Sequence, residues 1–313
     1  MAVTLAQAKL TSQDHLDQAV IDEFRKSSWL MDNMVFDDCV APAGGGSTMT
    51  YAYTRVITEA GAAFRAVNSE YTASEATKKR YNTDLKIFGG AYEIDRIVAD
   101  VSNEVTFQME QKIKSASALF NQTVIIGDSS NDANSFDGLD VAVTGSSTEY
   151  IPSTSIDLST SSDITTNADL FIDTLEDFLS GLDGLPSFLG GNRTLMNKIK
   201  AIARRKGMYQ ARLNEFGQNV ESYNGITLVD FGDRSGSANP VVPITSGVTS
   251  LYAARIGLNG FHGVSLAGRP VIKQWLPNFD DAGAVKKGEV EMVAAVALKA
   301  TKAAGVLRGI KVQ

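Results

Sequence analysis

The sequence predicts an α+β fold that mixes helices with antiparallel strands. Three observations carry this reading. A long two-stranded ribbon with a polar tip begins near Thr48 and returns by about Ile97. An amphipathic stripe follows it without a break, with Val98, Val101, Val105, Met109, Ile113, Ala116 and Phe120 at helical steps of three and four. The C-terminal part is then dominated by strand-like runs, and in the long run Val285 to Lys299 the residues Glu289 and Glu291 alternate with Val290 and Met292.

Residues 1 to 47 read as an arm. Thr11 or Ser12 caps a helix whose Leu16, Val20 and Phe24 share one face, and Gly44-Gly45-Gly46-Ser47 makes a flexible joint. The outgoing ribbon strand, Met49 to Ile57, is rich in aromatic and β-branched residues. The tip, Thr58 to Glu75, is small and charged, with Phe64, Val67 and Tyr71 as its sizeable apolar groups. The returning strand, Lys78 to Ile97, changes phase. Leu85 and Ile87 are odd-numbered, Tyr92 and Ile94 even-numbered, so a bulge or bend is expected at Gly89-Gly90 between them. A ribbon of this length is marginal alone in water and needs support, for which a neighbouring subunit is the natural candidate.

After the helix, Thr123 to Ile126 reads as strand, and the Ser/Thr-rich stretch from Thr144 to Thr166 reads as a surface excursion. Thr166 or Asn167 caps a helix with Phe171, Leu175, Phe178 and Leu182 inward and Asp169, Asp173, Glu176 and Asp177 outward. A short strand, Ser187 to Leu189, precedes a helix built on Leu195, Ile199 and Ile202, whose outer face from Lys198 to Lys206 is basic and which stops at Gly207. Strands are expected at Gly225 to Phe231, Ser250 to Leu258, Gly263 to Leu266 and Arg269 to Trp275, with Pro277 to Gly283 as a connector.

The balance of 29 basic and 36 acidic side chains, net charge −7, argues against a protein whose main task is gripping phosphates. A single cysteine, Cys39, excludes an intrachain disulfide, and two distant histidines, His15 and His262, make a structural zinc site an unsuitable reading. The first residues lack a basic and an apolar region of the secretory type, and the longest apolar run, Met292 to Leu298, is too short to span a bilayer. Synthesis in a cytoplasm is therefore expected.

No motif for catalysis stands above its bland reading. Phosphate loops and dinucleotide fingerprints are missing. Gly263-Val264-Ser265-Leu266-Ala267 is one residue short of a nucleophile elbow, and His262 beside it reads as a partly buried polar group. Asp128 to Asn134 begins like a calcium loop, but Ala133 replaces the glycine of the sharp turn and Leu139 stands where a bidentate glutamate belongs. A loop of local Asx turns is expected instead. The basic face from Lys198 to Lys206 has no interleaved aromatics for base stacking, so a solvated face or pairing with the preceding acidic helix is expected. No enzyme activity, cofactor or metal is called for.

The order of parts resembles the major capsid proteins of tailed bacteriophages, the Hong Kong ninety-seven-like fold. Local echoes are Ile125-Ile126-Gly127-Asp128 followed by Phe136-Asp137-Gly138-Leu139, then Phe188 to Leu195, Phe-Leu-Gly-Gly-Asn-Arg-Thr-Leu, and Leu251-Tyr252-Ala253-Ala254-Arg255-Ile256-Gly257. The resemblance implies an N-terminal arm (1–47), an extended loop with its return strand (48–96), a peripheral domain with the spine helix (97–138), an axial domain (139–276) and a C-terminal return to the peripheral domain (277–313). It implies a virion shell of pentamers and hexamers around double-stranded DNA held without sequence specificity. A separate scaffolding protein, a portal and a decoration protein are candidate partners, with no membrane involved. An encapsulin-like nanocompartment shell, or a tail or decoration protein, remains the alternative.

The resemblance places subunit contacts on the loop at Glu59, Phe64, Arg65, Val67, Glu70 and Tyr71. Some members link a loop lysine covalently to a neighbour's asparagine. Here Arg55 and Arg65 are the only ribbon cations before Lys78, and arginine stays protonated. A clasp without covalent bonds is expected. Because residues 1–47 are too few for the long scaffolding segment of some members, scaffolding is expected from a separate protein, or not at all.

Overall fold

The computed structural model describes residues 29–40, 49–207, 210–213 and 219–313. The arm helix expected on Leu16, Val20 and Phe24, and the glycine joint, lie outside these residues. In chain order the elements are α1 (Trp29–Asn33), β1 (Phe36–Val40), the ribbon strands β2 (Thr50–Thr58) and β3 (Thr77–Asp84), β4 (Lys86–Asp95), α2 (Arg96–Val101) and α3 (Glu104–Ile126). Next come α4 (Leu139–Val143), β5 (Glu149–Tyr150), β6 (Ile156–Asp157), α5 (Ser161–Ser180), β7 (Phe188–Gly191) and α6 (Arg193–Arg205). The strands β8 (Gln210–Leu213), β9 (Asn219–Tyr223), β10 (Ile226–Asp230), β11 (Val248–Ala254), β12 (Phe261–Leu266), β13 (Ile272–Trp275) and β14 (Val285–Leu298) follow. A 3-10 turn, Thr301–Ala303, leads into β15 (Ala304–Lys311). The α+β class expected from the sequence is the class found.

The strands form two large sheets and the separate ribbon. The first sheet has the order β1-β12-β14-β13, with β4 on the other edge of β14. The β4–β14 ladder runs without interruption from Asp95–Val285 to Lys86–Ala294. The bulge expected at Gly89-Gly90 is therefore not there. The phase changes earlier, at Leu85, which is buried between the end of β3 and the start of β4. From there Phe88, Tyr92 and Ile94 point inward and Ile87 outward. Gly89 serves a different purpose: a Cβ there would sit 2.0 Å from the Val290 carbonyl oxygen. It permits close approach of two backbones.

The second sheet has the order β5-β15-β11-β7-β10-β9-β8, with β6 also on β15. Its side chains alternate between two cores, as the pleat requires. Phe188, Tyr252 and Val306 face α3, where Phe120, Val124 and Ile125 are fully buried. Leu189, Leu251 and Leu307 face the opposite way, against Phe171, Leu175 and Phe178 of α5 and Leu195, Ile199 and Ile202 of α6. The core that contains α3 also takes in Val264, Met292 and Ala294 of the first sheet, so one helix is shared by both sheets.

Three local readings change. The β-branched run Thr123 to Ile126 closes α3 as helix, because burial of Val124 and Ile125 outweighs an intrinsic strand preference of a few tenths of a kcal/mol per residue. The expected single amphipathic helix is two. Ser102 ends α2 by donating both its hydroxyl and its N–H to the Val98 carbonyl, at 2.7 and 3.1 Å. Val101 is left on the surface, and α3 alone spans 23 residues, roughly 35 Å. Lastly, α5 starts at Ser161, ahead of the expected Thr166 or Asn167. Thr160 Oγ1 accepts from Asp163 N and Asp163 Oδ2 accepts from Thr160 N, a reciprocal capping box. Asn167 instead donates to the Asp157 carbonyl.

Candidate assembly interface

The ribbon belongs to neither large sheet. Its strands pair from Thr50–Asp84 to Val56–Lys78 and Thr58–Thr77, with one irregularity between Val56 and Thr58. Beyond that point Val56 and Ile57 are more than half exposed. The proximal half is held by side chains. Tyr53 stacks on Tyr81 across the strands, with ring centroids 5.8 Å apart and planes 16° from parallel. The Arg55 guanidinium lies over Tyr81 and reaches out of the ribbon. It donates to the carbonyls of Leu298 and Lys299 and to the Thr301 hydroxyl. A planar fork with several N–H groups suits this arrangement of acceptors.

At the root, Tyr51 is buried and its hydroxyl donates to Asp37 Oδ2 at 3.0 Å. Its ring stands edge-on to His262, centroids 5.8 Å apart. Burial pushes the Tyr53 hydroxyl above the usual tyrosine value, against the smaller opposing effect of Arg55. These root residues anchor the ribbon to the body of the subunit, which their sequence pattern alone does not reveal. Arg55 was legible there only as a cation, although the alternation of Tyr51, Tyr53 and Arg55 placed all three on one face.

Past Thr58 the chain leaves the ladder. Phe64 is fully exposed, Val67 is 88% exposed and Tyr71 is 63% exposed. Of the six residues expected to make contacts, the structure brings Arg65 and Tyr71 together, with the guanidinium 5.3 Å from the ring centroid. Arg65 also donates to the Ser69 carbonyl at 3.2 Å, and Asn68 holds the local turn with φ 67°. Ser74 donates to the Gly61 carbonyl and ties the two limbs of the tip together. Glu59, Phe64, Val67 and Glu70 lie on the open surface of the same loop. Transfer of a phenylalanine ring from water into an apolar contact is worth about 1.5–3 kcal/mol. The tip thus presents apolar surface on a stiffened stalk.

Elsewhere the candidates for chemistry resolve into structure. Ser265 is buried in β12 opposite Ala294, in an ordinary ladder and not on an exposed elbow. His262 is fully buried in the same strand. The Asp128 loop closes on itself: Asp128 accepts from Ser130 N and Asn131 Nδ2, and Asp137 accepts from Ser129 N. The basic face of α6 is turned onto the start of α5. Lys206 Nζ is 2.5 Å from Asp169, Lys198 donates to the Ser159 carbonyl, and Arg205 donates to the Ser161 carbonyl and the Thr165 hydroxyl. No helix among the described residues is long and apolar enough to cross a membrane.

No protein-family model matches this sequence, and no curated protein sequence does. Solved structures do. The holo-SrpI encapsulin complex from Synechococcus elongatus PCC 7942 aligns with TM-score 0.64 at 13% identity, covering 99% of this chain and 97% of that one. The capsid of a native GTA particle aligns with TM-score 0.62 at 11% identity, covering 97% of each chain. Mycobacterium phage Bobi aligns with TM-score 0.60 at 12% identity, covering 98% of this chain and 99% of the other. The match runs end to end, so the fold is the Hong Kong ninety-seven-like fold of capsid and encapsulin shells.

Proposed function

We propose that this chain is the major capsid protein of a tailed bacteriophage or a closely related particle. Subunits associate as pentamers and hexamers that close into an icosahedral shell around double-stranded DNA. The observation that carries the proposal is the ribbon: a clamped stalk that holds Phe64, Val67 and Tyr71 on its exposed tip. The end-to-end likeness to capsid structures supports it. In this reading the tip laps over an adjacent subunit through Glu59, Phe64, Arg65, Val67, Glu70 and Tyr71, with apolar burial at the centre and charges at the rim. The sheet built on β14 belongs to the peripheral domain and the sheet built on β11 to the axial domain. Relative to the bounds expected from the sequence, β12 and β13 move to the peripheral and β15 to the axial domain, and the chain crosses between the sheets at the turn from β14 to β15.

Electron microscopy of the expressed protein tests the proposal. Closed shells are expected; a uniformly monomeric product under all assembly conditions would count against it. Replacing Phe64, Arg65 and Val67 together by Ala, Gln and Ala should abolish shells while leaving the thermal unfolding of the subunit unchanged. Normal shells from that variant would remove the tip from the interface.

An encapsulin-like shell is the second reading, favoured by the alignment with the holo-SrpI encapsulin complex. Particle contents separate the two. Nuclease-protected DNA supports the capsid, and a packaged protein without DNA supports the nanocompartment.

A further inference from the structure

We infer that His262 is an acid-sensitive latch for the root of the ribbon. The inference concerns the subunit and holds for either kind of shell.

Three features of the site lead to it. First, the imidazole is fully buried in β12, and neither ring nitrogen has a well-formed hydrogen bond among the described residues, although the Gly260 backbone lies close enough to favour the protonated ring. A neutral ring tolerates such a place at modest cost; an imidazolium does not. Second, the groups that fix the ribbon root meet around this ring. Tyr51 of β2 lies against it edge-on. Asp37 of β1 accepts the Tyr51 hydroxyl bond. Lys299, just after β14, has its ammonium 3.8 Å from Asp37 and 5.5 Å from the Tyr51 ring centroid. The carbonyl of Lys299 is one of the acceptors of Arg55. Third, β2 and β3 form their own sheet, so the root can lift without breaking the ladders of either large sheet.

The electrostatics favour the neutral ring. Burial holds the His262 imidazole below the ordinary histidine value, and the Lys299 ammonium adds to this. Asp37 and the Gly260 backbone act in the opposite direction, less strongly. The sign of the effect follows by linkage. A closed root that refuses the proton is fully stable above the ordinary histidine range. As pH falls below that range, an opened root binds a proton that the closed one excludes. Opening then gains about tenfold per pH unit until the closed-state value is reached. The ribbon would be locked near neutrality and released in acid.

Amide hydrogen exchange of the full chain tests this in whichever assembly state it is purified. Wild type and His262→Gln are compared at about pH 7.5 and about pH 5.5, below the ordinary histidine value, with exchange corrected for its intrinsic pH dependence. Peptides covering residues 50–58 and 77–84 of wild type should lose protection at the lower pH, by up to about tenfold, while peptides of the β4–β14 ladder hold theirs. The variant, which cannot take up the proton, should show no such loss. Equal losses in both proteins, or no loss in wild type, would overturn the latch. Should His262→Gln not fold, His262→Phe keeps the shape and apolar character of the site and is expected to stay closed at both pH values. An acid-opened ribbon in His262→Phe would equally overturn it. Failure to form shells would not affect this measurement, so the latch and the capsid proposal stand or fall separately.

Discussion

The Arg55 guanidinium carbon lies 4.3 Å from the centroid of the Tyr81 ring, so one strand of the ribbon is capped by a cation from the other. That same guanidinium carries the ribbon's hydrogen bonds to the carbonyls of Leu298 and Lys299. A single side chain thus binds the two ribbon strands to each other and to the turn between β14 and β15.

Arg55→Ala should therefore free the stalk while sparing the large sheets. The expected loss is about 2 kcal/mol at the root, from charge-assisted bonds and a cation–π contact. Limited proteolysis should then cut between residues 50 and 84 faster than in wild type. Arg55→Lys should restore little of this, because an ammonium cannot present a planar fork to several acceptors. Full rescue by lysine would show that charge alone holds the ribbon.

Gly190→Ala is expected to be severe. An added Cβ would lie 2.0 Å from Phe231 Cζ, and Phe231 is itself fully buried. Overpacking of this kind costs about 1–3 kcal/mol or more. Chemical denaturation should report a lower midpoint with an unchanged slope. Phe231→Leu in the same chain should recover part of the loss, a coupling readable in a double-mutant cycle.

Acid should weaken the junction of α4, β5 and β15. Arg308 contacts both Asp140 and Glu149, and Tyr252 donates its hydroxyl to Asp140 at 2.9 Å. The Gly145 N–H bond, helped by Arg308, holds the Glu149 carboxyl below the usual carboxylate value. A depressed carboxylate stabilises the fold above the ordinary glutamate value, about 4.3, and that contribution fades as pH falls through the lower folded value. Glu149→Gln should cost about 1 kcal/mol at neutral pH, given the partly wet setting. The difference from wild type should shrink in thermal scans as pH falls below the ordinary glutamate value. A constant difference would locate the effect in packing.

Purified shells should run on denaturing gels as one band at the mass of a single subunit. Residues 58 to 77 contain no lysine, and the first on the return strand, Lys78, is paired opposite Val56 within the ladder. A ladder of covalent oligomers mapping to this loop would contradict a purely non-covalent clasp.

Much of the fold was legible because its period was. Alternation around Glu289 and Glu291, followed by the apolar run to Leu298, marked β14 almost to its ends, and helical spacing marked the buried faces of α5 and α6. Errors fell where tertiary burial overrode local preference. Val124 and Ile125 looked like strand residues and became helix, and the glycines at 89 and 90 suggested a bulge where close backbone approach was the cause. The strand β15 went unread because Ala304, Gly305 and Gly309 dilute its apolar pattern, although Val306, Leu307 and Ile310 are fully buried. At the candidate interface, the sizeable apolar residues of the tip, Phe64 and Val67, were legible in the sequence and are exposed. Its anchor could not, since Tyr51 meets Asp37 and His262 only after strands distant in sequence have been brought together.

The uninterrupted pairing of β4 with β14 has a consequence for synthesis. The two strands are separated by nearly the whole central part of the chain, and β1 likewise waits for β12. A ribosome releases the ribbon early but the strands that complete the first sheet late, and β15, at the centre of the second sheet's pairing with β11, later still. Neither sheet can close on the nascent chain until residues 285–311 have emerged. The exposed tip around Phe64 and Val67 therefore leaves the ribosome well before either sheet of its own subunit is complete.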